Sequence, residues 1–125
     1  MAGLEFGKNY RLLSASDFNY LKQNSELISD PWLRVFFKPS QKGSSISRIG
    51  FSISTKLGNA VLRNRTRRIL REIFRIKGDK ALGLDILVVV NPFLYKKTKT
   101  KEEAEDFLKN SFISVLSKLP KKSHD

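Results

Sequence analysis

Apolar and polar residues alternate along two stretches of the chain, 32–38 and 48–54. On one face of the first stretch three apolar side chains line up: Leu33, Val35 and Phe37. Its other face mixes aromatic and basic side chains: Trp32, Arg34, Phe36 and Lys38. The second stretch has three apolar side chains on one face, those of Ile49, Phe51 and Ile53. Its other face has small or polar side chains. Because a period of two is typical of a half-covered strand, both stretches are predicted to be β-strands.

Three further segments show helical spacing or helix-start signals. A short helix is predicted over residues 15–24, where Ser14 would act as its cap. A longer helix is predicted over about residues 59–76. A last helix is predicted to begin after Thr100, because Thr100 and Glu103 have the spacing of a capping box.

The run "ILVVV" at residues 86–90 is apolar without alternation, which is typical of a strand covered on both faces. The predicted order is therefore helix, strand, strand, helix, strand, helix. This order indicates an α+β fold, an α/β sandwich whose mixed sheet has roughly three to four strands. A chain of 125 residues without internal repeats is predicted to form a single domain, residues 1–125, with an ordered core at about 10–118 and a frayed tail at 119–125.

The chain is strongly basic, with 24 lysines and arginines against 12 acidic residues and a formal net charge of +12. Within residues 31–78, Glu72 is the one acidic residue. Such a surface attracts polyanions, so nucleic acid is the first partner class predicted and an anionic membrane surface the second. The sequence has no cysteine, no apolar run of membrane-spanning length and no apolar signal-peptide core. A cytoplasmic protein without disulfides is therefore predicted.

The helix predicted at 59–76 separates its arginines from its apolar residues. At about 100° per residue, one side collects the apolar positions: Val61, Leu62, Ile69, Leu70, Ile73 and Ile76. The opposite side collects Asn64, Arg67, Arg68, Arg71 and Arg75, and the borders carry Arg63 and Arg65. A face that serves only solubility usually mixes both charge signs, whereas arginines four residues apart repel each other unless an anion lies between them. Phosphate binding is therefore favoured over a solvated face, a membrane-surface helix or a calmodulin target.

At residues 50–74, "GFSISTKLGNAVLRNRTRRILREIF", the chain resembles the protein subunit of bacterial ribonuclease P. The family pattern is G-(F/L)-S-(V/I)-S, a basic pair, G-N-A-V, R-N-R-x-(K/R)-R and R-(E/Q)-x-F. Two positions depart from the family: Lys22 stands where many relatives have a second aromatic residue, and Thr55 replaces the first residue of the basic pair. The resemblance also implies a left-handed βαβ crossover around the arginine helix, although right-handed crossovers are the general rule.

The resemblance implies a subunit of an endoribonuclease whose RNA carries out the chemistry. The holoenzyme removes the 5′ leader of precursor tRNA with Mg²⁺ held mainly by the RNA. The implied partners are the catalytic RNA and precursor tRNA, without a membrane and without a required protein partner. The implied RNA-binding residues are Lys56, Asn59, Arg63, Asn64, Arg65, Arg67, Arg68 and Arg71.

The leader cleft of the family lies between the first helix and the sheet, and it maps here onto Arg11, Phe18 and Phe36. The alternating aromatic and basic residues of the first strand add Arg34, because rings set between cations can stack on unpaired bases while phosphates are neutralised. Packing against the first helix is an equally good interpretation of Phe36. Core packing is the more usual role for an aromatic residue in the position of Phe18.

No catalytic residue is predicted in the chain. His124, in the predicted tail, is the one histidine, and the sequence offers neither paired carboxylates nor metal-ligand spacing. Two alternatives stay open at this point. The chain could be a structural RNA-binding protein of another ribonucleoprotein such as the ribosome, or a protein-only nuclease, which the scarcity of acidic residues disfavours.

Overall fold

The computed structural model of the protein describes residues 15–39, 47–77 and 83–119, including their side chains except those of residues 15–18 and 24. In chain order the elements are helix α1 (Ala15–Asn24), strands β1 (Glu26–Ser29), β2 (Leu33–Pro39) and β3 (Arg48–Ser52), helix α2 (Ala60–Lys77), strand β4 (Leu84–Val90), the short helix α3 (Leu94–Lys97) and helix α4 (Lys101–Lys118). A 3-10 turn, Thr55–Leu57, leads from β3 into α2.

The four strands form one mixed sheet in the order β1-β2-β4-β3. Strand β2 is antiparallel to both of its neighbours, whereas β3 and β4 are parallel. A parallel pair needs a crossover connection, and α2 supplies it. The predicted α+β class with a mixed sheet is confirmed, and β4 lies inside the sheet as its uninterrupted apolar run indicates. The hand of the crossover stays a prediction.

One face of the sheet, here called the core face, packs against α2 and α4. Alternate residues of the two central strands point there and are buried: Leu33, Val35, Phe37, Ile86, Val88 and Val90. They meet Leu70 and Phe74 of α2 and Phe112 of α4 in one cluster. Phe112 also contacts Phe51 of β3 edge to face, with ring centroids 6.5 Å apart. Since a fully buried side chain of this kind contributes about 1.5–3 kcal/mol, this cluster is the main source of stability.

The opposite face, here called the open face, has a smaller apolar cover. Leu21 of α1 packs on Leu87 of β4, with Phe36 and Val89 partly buried beside them. At the β3 side of this face, Arg48 forms a two-pronged ion pair with Asp85: Nε lies 2.9 Å from Oδ1 and Nη2 lies 2.7 Å from Oδ2. The two residues are partners in the β3–β4 register, so the ion pair ties the parallel strands together at their start.

Helix α2 is rotated relative to the predicted wheel. Its buried positions are Thr66, Leu70 and Phe74, spaced four residues apart. Val61 and Ile76, predicted to lie on the apolar side, are 76% and 58% exposed. Thr66 can occupy the buried stripe because its hydroxyl donates to the carbonyl of Leu62 at 2.9 Å and also lies 3.0 Å from the hydroxyl of Tyr95.

Trp32 was predicted on the mixed face of the first strand, and that placement is wrong. The Oδ1 atom of Asp30 accepts hydrogen bonds from the backbone N–H groups of Trp32 and Leu33, at 2.8 and 3.1 Å. This turn breaks the alternation before β2 begins. The indole ring then stacks on Phe107 of α4, with centroids 5.3 Å apart.

The remaining boundaries lie close to the predicted ones, with three additions. Strand β1, the 3-10 turn and α3 were not predicted, and the strand predicted to reach residue 54 ends at Ser52. Thr100 caps α4 as expected, because its Oγ1 accepts the N–H of Glu103 at 3.0 Å. The predicted cap of α1, Ser14, lies outside the described residues. Within the described part of the chain, no helix has the length and apolar character needed to cross a membrane.

Candidate nucleic-acid interface

The start of α2 is fixed by the residues that precede it. The Oδ1 atom of Asn59 accepts the N–H of Leu62 at 2.9 Å, which caps the helix. Arg63 donates through Nη1 to the carbonyl of Gly58 at 2.9 Å. A Cβ atom on Gly58 would lie 2.6 Å from Cδ2 of Leu62, so a larger residue here would require the Leu62 side chain to move. Lys56 is exposed on the 3-10 turn just before this cap.

One side of α2 presents four polar residues around a shallow depression of about 340 Å³. We call this surface the arginine groove, and it consists of Asn64, Arg67, Arg68 and Arg71. Arg67 donates through Nη1 to Oδ1 of Asn64 at 2.9 Å, while Arg68 and Arg71 are exposed. Among the described residues, no carboxylate forms an ion pair with these three arginines. The guanidinium groups are therefore positioned to meet an external anion.

Two other arginines of α2 are bound by acidic side chains of the protein. Arg65 engages both carboxylate oxygens of Glu105 on α4, through Nε and through Nη2, the latter 3.1 Å from Oε1. Glu105 is buried between the two helices, and the hydrogen bond from Arg65 lowers its pKa. Arg75 pairs with Glu72 one turn earlier, and this contact lowers the pKa of Glu72. Arg65 keeps 48% of its side chain exposed, so it is held in place without being covered.

On the open face, Arg34 is exposed and Phe36 is half-buried. The ring of Phe36 packs beside Leu21 and Leu87, which leaves only part of it open to a ligand. Of the other two residues assigned to the leader cleft, Arg11 lies outside the described residues, and Phe18 lies in α1 with its side chain outside them.

The structure adds two residues to these surfaces that the sequence pattern did not single out. Tyr20 of α1 accepts a hydrogen bond from Nζ of Lys38 at 2.7 Å, and the same ammonium lies 4.6 Å from the centre of the tyrosine ring. Glu105 holds Arg65. A carboxylate inside the apolar stripe of α4, three residues before Leu108, signals a buried polar contact, because an unpaired buried charge is costly. Tyr20 has no comparable signal, since its position depends on how α1 crosses the sheet.

Comparisons with known proteins agree with one another. The family model described as Ribonuclease P matches residues 6–116. The ribonuclease P protein component of Staphylococcus carnosus is 35% identical over 82 residues, which are 66% of this chain and 70% of that protein. The corresponding protein of Clostridioides difficile is 28% identical over 109 residues, 86% of this chain and 92% of that protein.

Solved structures give the same result. The RNase P protein of Staphylococcus aureus superposes with a TM-score of 0.69 at 28% identity, covering 89% of this chain and 94% of that chain. The RNase P protein of Thermotoga maritima has the same fold, with a TM-score of 0.70 at 23% identity and coverage of 88% and 97%.

Proposed function

We propose which surface of this chain binds which RNA, on the basis that the chain belongs to the family of ribonuclease P protein components. Members of this family are protein subunits of a ribonucleoprotein endoribonuclease. Helix α2 binds the catalytic RNA, and the open face of the sheet binds the 5′ leader of precursor tRNA. The proposed place of action is the bacterial cytoplasm, and neither a membrane nor a further protein partner is needed.

The proposal that α2 binds the catalytic RNA rests mainly on the arginine groove. Arg67, Arg68 and Arg71 lie on one exposed side of a helix and have no acidic partner among the described residues. Three guanidinium groups so close together repel one another, and phosphates between them would remove that repulsion while accepting bidentate hydrogen bonds. Asn64 helps to orient Arg67, so the groove is partly organised before RNA arrives.

The residues at the start of α2 extend the same surface. Lys56 is exposed on the 3-10 turn, and Asn59 and Arg63 secure the turn against the helix through short polar contacts. Lys56 would contribute a further phosphate contact. Arg65 would contact RNA with the part of its guanidinium that Glu105 leaves accessible.

The leader part of the proposal rests on the open face. Arg34 and Lys38 flank Phe36 on β2, and α1 covers only part of this row. Cations beside an aromatic ring bind a single strand with little sequence preference, because every base has a face that stacks. We therefore assign the cleft to Arg34 and Phe36, with Arg11 and Phe18 as the residues that the resemblance adds.

The hydrolysis itself is assigned to the RNA partner. Among the described residues, no three His, Asp, Glu or Cys side chains cluster as potential metal ligands, and the carboxylates of Asp85 and Glu105 are already bound by arginines. These residues do not fit a protein-held magnesium site. We therefore propose that Mg²⁺ is held by the RNA, and that the protein neutralises phosphates and positions the leader.

Reconstitution tests this proposal. The purified protein is mixed with a bacterial ribonuclease P RNA at a low magnesium concentration, and removal of a precursor tRNA leader is measured. We expect faster cleavage than with RNA alone, because the lysine and arginine side chains of the bound protein neutralise phosphates that would otherwise need magnesium as a counterion. The Arg67→Ala/Arg68→Ala/Arg71→Ala variant should lose most of the gain. An unchanged rate on adding the native protein would contradict the proposal.

A competition assay addresses the alternative of a structural RNA-binding protein. Such a protein would bind mature tRNA and leader-bearing tRNA equally when complexed with its RNA. The proposed subunit should prefer the leader-bearing form.

A further inference from the structure

A second pocket, of about 520 Å³, lies where α2, α3 and α4 meet, apart from the arginine groove. We call it the α2–α4 pocket. Its wall combines three apolar or aromatic side chains and three cations: Val61, Leu62, Tyr95, Arg65, Lys99 and Lys101. Its volume is in the range of pockets that bind small ligands. None of its lysines belongs to the predicted RNA-binding set.

The apolar wall of the α2–α4 pocket contains an exposed aliphatic side chain and a fixed ring. Val61 is 76% exposed, although it lies on a helix with a well-packed opposite side. Tyr95 is half-buried, and its hydroxyl lies 3.0 Å from that of Thr66, which restrains the ring. Burial raises the pKa of Tyr95, so the ring stays neutral at physiological pH. A neutral, restrained ring beside an aliphatic side chain is suited to a planar apolar group.

The cationic wall lies where two helices begin. Asn59 caps α2 and Thr100 caps α4, so the positive ends of both helix dipoles are close to the pocket. Of the nearby carboxylates, Glu103 accepts the backbone N–H of Lys99 at 2.8 Å and Glu105 binds Arg65, whereas Glu102 is exposed close enough to act on Arg65. Lys99 and Lys101 are exposed beside these caps. The combination is suited to an anion adjacent to the planar group.

We propose that the α2–α4 pocket binds one unstacked nucleotide of the RNA, with the base against Tyr95 and Val61 and the phosphate at Lys99 and Lys101. The inference rests on the proposed RNA-binding function of α2. A simple anion would leave the apolar wall without a contact, and an apolar ligand would leave Lys99 and Lys101 without one, since within the described residues only Arg65 of the three cations is bound, by Glu105. Just before α3, Phe93 lies near two further cations, because Nζ of Lys96 and Nζ of Lys97 lie 5.7 and 5.9 Å from the centre of its ring.

A pair of charge variants on α2 tests the pocket. Val61→Glu and Ile76→Glu introduce the same charge at exposed aliphatic positions of one helix, but only residue 61 lines the pocket. Repulsion of RNA by the added charge at long range should be similar in both. We expect Val61→Glu to weaken binding to ribonuclease P RNA about tenfold more than Ile76→Glu, the size of one lost base-stacking contact. Equal losses would reject the pocket.

The same experiment separates failure of the pocket from failure of the proposed function. If the native protein neither binds ribonuclease P RNA nor stimulates leader removal, the function itself is rejected. If it does both and the two variants behave alike, only the pocket is rejected. Thermal unfolding of each variant tests for a folding defect; both positions are exposed, so only small changes are expected, a slight stabilisation for Val61→Glu in the first turn of α2 and a slight destabilisation for Ile76→Glu in its last turn.

A nuclear magnetic resonance titration tests the chemistry of the ligand with small probes. Adenosine 5′-monophosphate should shift the backbone amide signals of Val61, Tyr95 and Lys99, with affinity in the millimolar range. Inorganic phosphate should shift Lys99 and Lys101 alone. Shifts confined to the arginine groove would overturn the proposal. Saturation by adenosine 5′-monophosphate at micromolar concentration would assign the pocket to a free nucleotide and overturn the RNA-strand assignment.

Discussion

The two faces of the sheet are built from the same strands but are covered very differently. The core face lies under α2 and α4, each of 18 residues, whereas in the described part of the chain the open face has α1, of 10 residues, as its one helical cover. Along β2, Val35 is fully buried on one face while its neighbours Arg34 and Phe36 remain accessible on the other. The core face therefore supplies stability, and the open face keeps aromatic and basic groups available for a ligand.

The open face also uses a different kind of contact. Where the core face packs hydrocarbon on hydrocarbon, the open face ties β3 to β4 through Arg48 and Asp85, a pair whose side chains are 16% and 4% exposed. Such a pair depends on both partners, because removal of one breaks a largely buried contact between opposite charges. The open face thus combines a small apolar cluster with a largely buried ion pair, whereas the core face is dominated by apolar packing.

The largest effect is expected from the core face. Phe74→Ala should lower the free energy of unfolding by about 3–5 kcal/mol, because Phe74 is fully buried and its loss leaves a cavity. Urea unfolding measures the change. Phe93→Ala is the control, since Phe93 is 44% exposed and its truncation should cost less than about 0.5 kcal/mol. Similar losses at the two positions would contradict the division between buried and exposed surfaces.

A somewhat smaller effect is expected from the ion pair of the open face. Asp85→Ala should lower the free energy of unfolding by about 3 kcal/mol, because it removes a largely buried carboxylate that binds Arg48 through two contacts. The double variant Arg48→Met/Asp85→Leu should recover most of that loss, since it removes both charges. Glu72→Ala, which breaks the exposed pair with Arg75, should leave the urea midpoint unchanged. If the double variant is as unstable as Asp85→Ala, the loss of stability comes from the changed packing of the side chains and not from an unbalanced charge.

Much of the difference between the core face and the open face could be predicted from the sequence. Period-two alternation identified the buried set of β2, and the uninterrupted apolar run identified β4 as a covered strand. The capping box located the start of α4. These signals are local, because each depends on a few neighbouring residues whose spacing fixes their direction.

The parts that could not be predicted depend on contacts between distant segments. Val61 was expected to face the sheet but is exposed, and Thr66 is buried instead. The hydroxyl of Thr66 can be buried because Tyr95, 29 residues later in the chain, provides a hydrogen-bond partner. Arg65 was expected to be available to RNA at the border of α2, yet Glu105 on α4 binds it. Strand β1 has no clear alternation of its own and is defined by pairing with β2. Helical periodicity contains no information about such partners.

The proposed leader cleft on the open face can be tested separately from α2, the helix proposed to bind the catalytic RNA. Phe36→Ala should reduce the preference for leader-bearing over mature tRNA by about fivefold, the lower end of base stacking, because the ring is half-buried. Its effect on the affinity for the catalytic RNA should be small. Val89→Ala is the matched control, because Val89 lies in the same small cluster but has no ring. Equal loss of leader preference and RNA affinity would argue against a separate cleft.

A smaller effect, readable mainly in its salt dependence, is expected from single arginines of α2. Arg68→Ala should weaken RNA binding a few-fold and reduce the slope of log affinity against log salt by about one unit, the value for one lost phosphate contact. Arg75→Ala should change the slope less, since Arg75 is paired with Glu72. Filter binding at several salt concentrations measures both. Identical slopes for native protein and Arg68→Ala would show that Arg68 does not contact phosphate.

The smallest effect concerns the link between α2 and α4. The folded protein lowers the pKa of Glu105 below its unfolded value of about 4.3, because Arg65 stabilises the carboxylate. The contribution of this pair is therefore fully present above that pH and is lost as the pH falls through the lower, folded pKa. Glu105→Gln should flatten the fall in unfolding free energy in this acidic range, whereas Glu102→Gln, exposed on the same helix, should not. If both variants follow the native curve, the ion pair adds nothing to stability and serves only to orient Arg65.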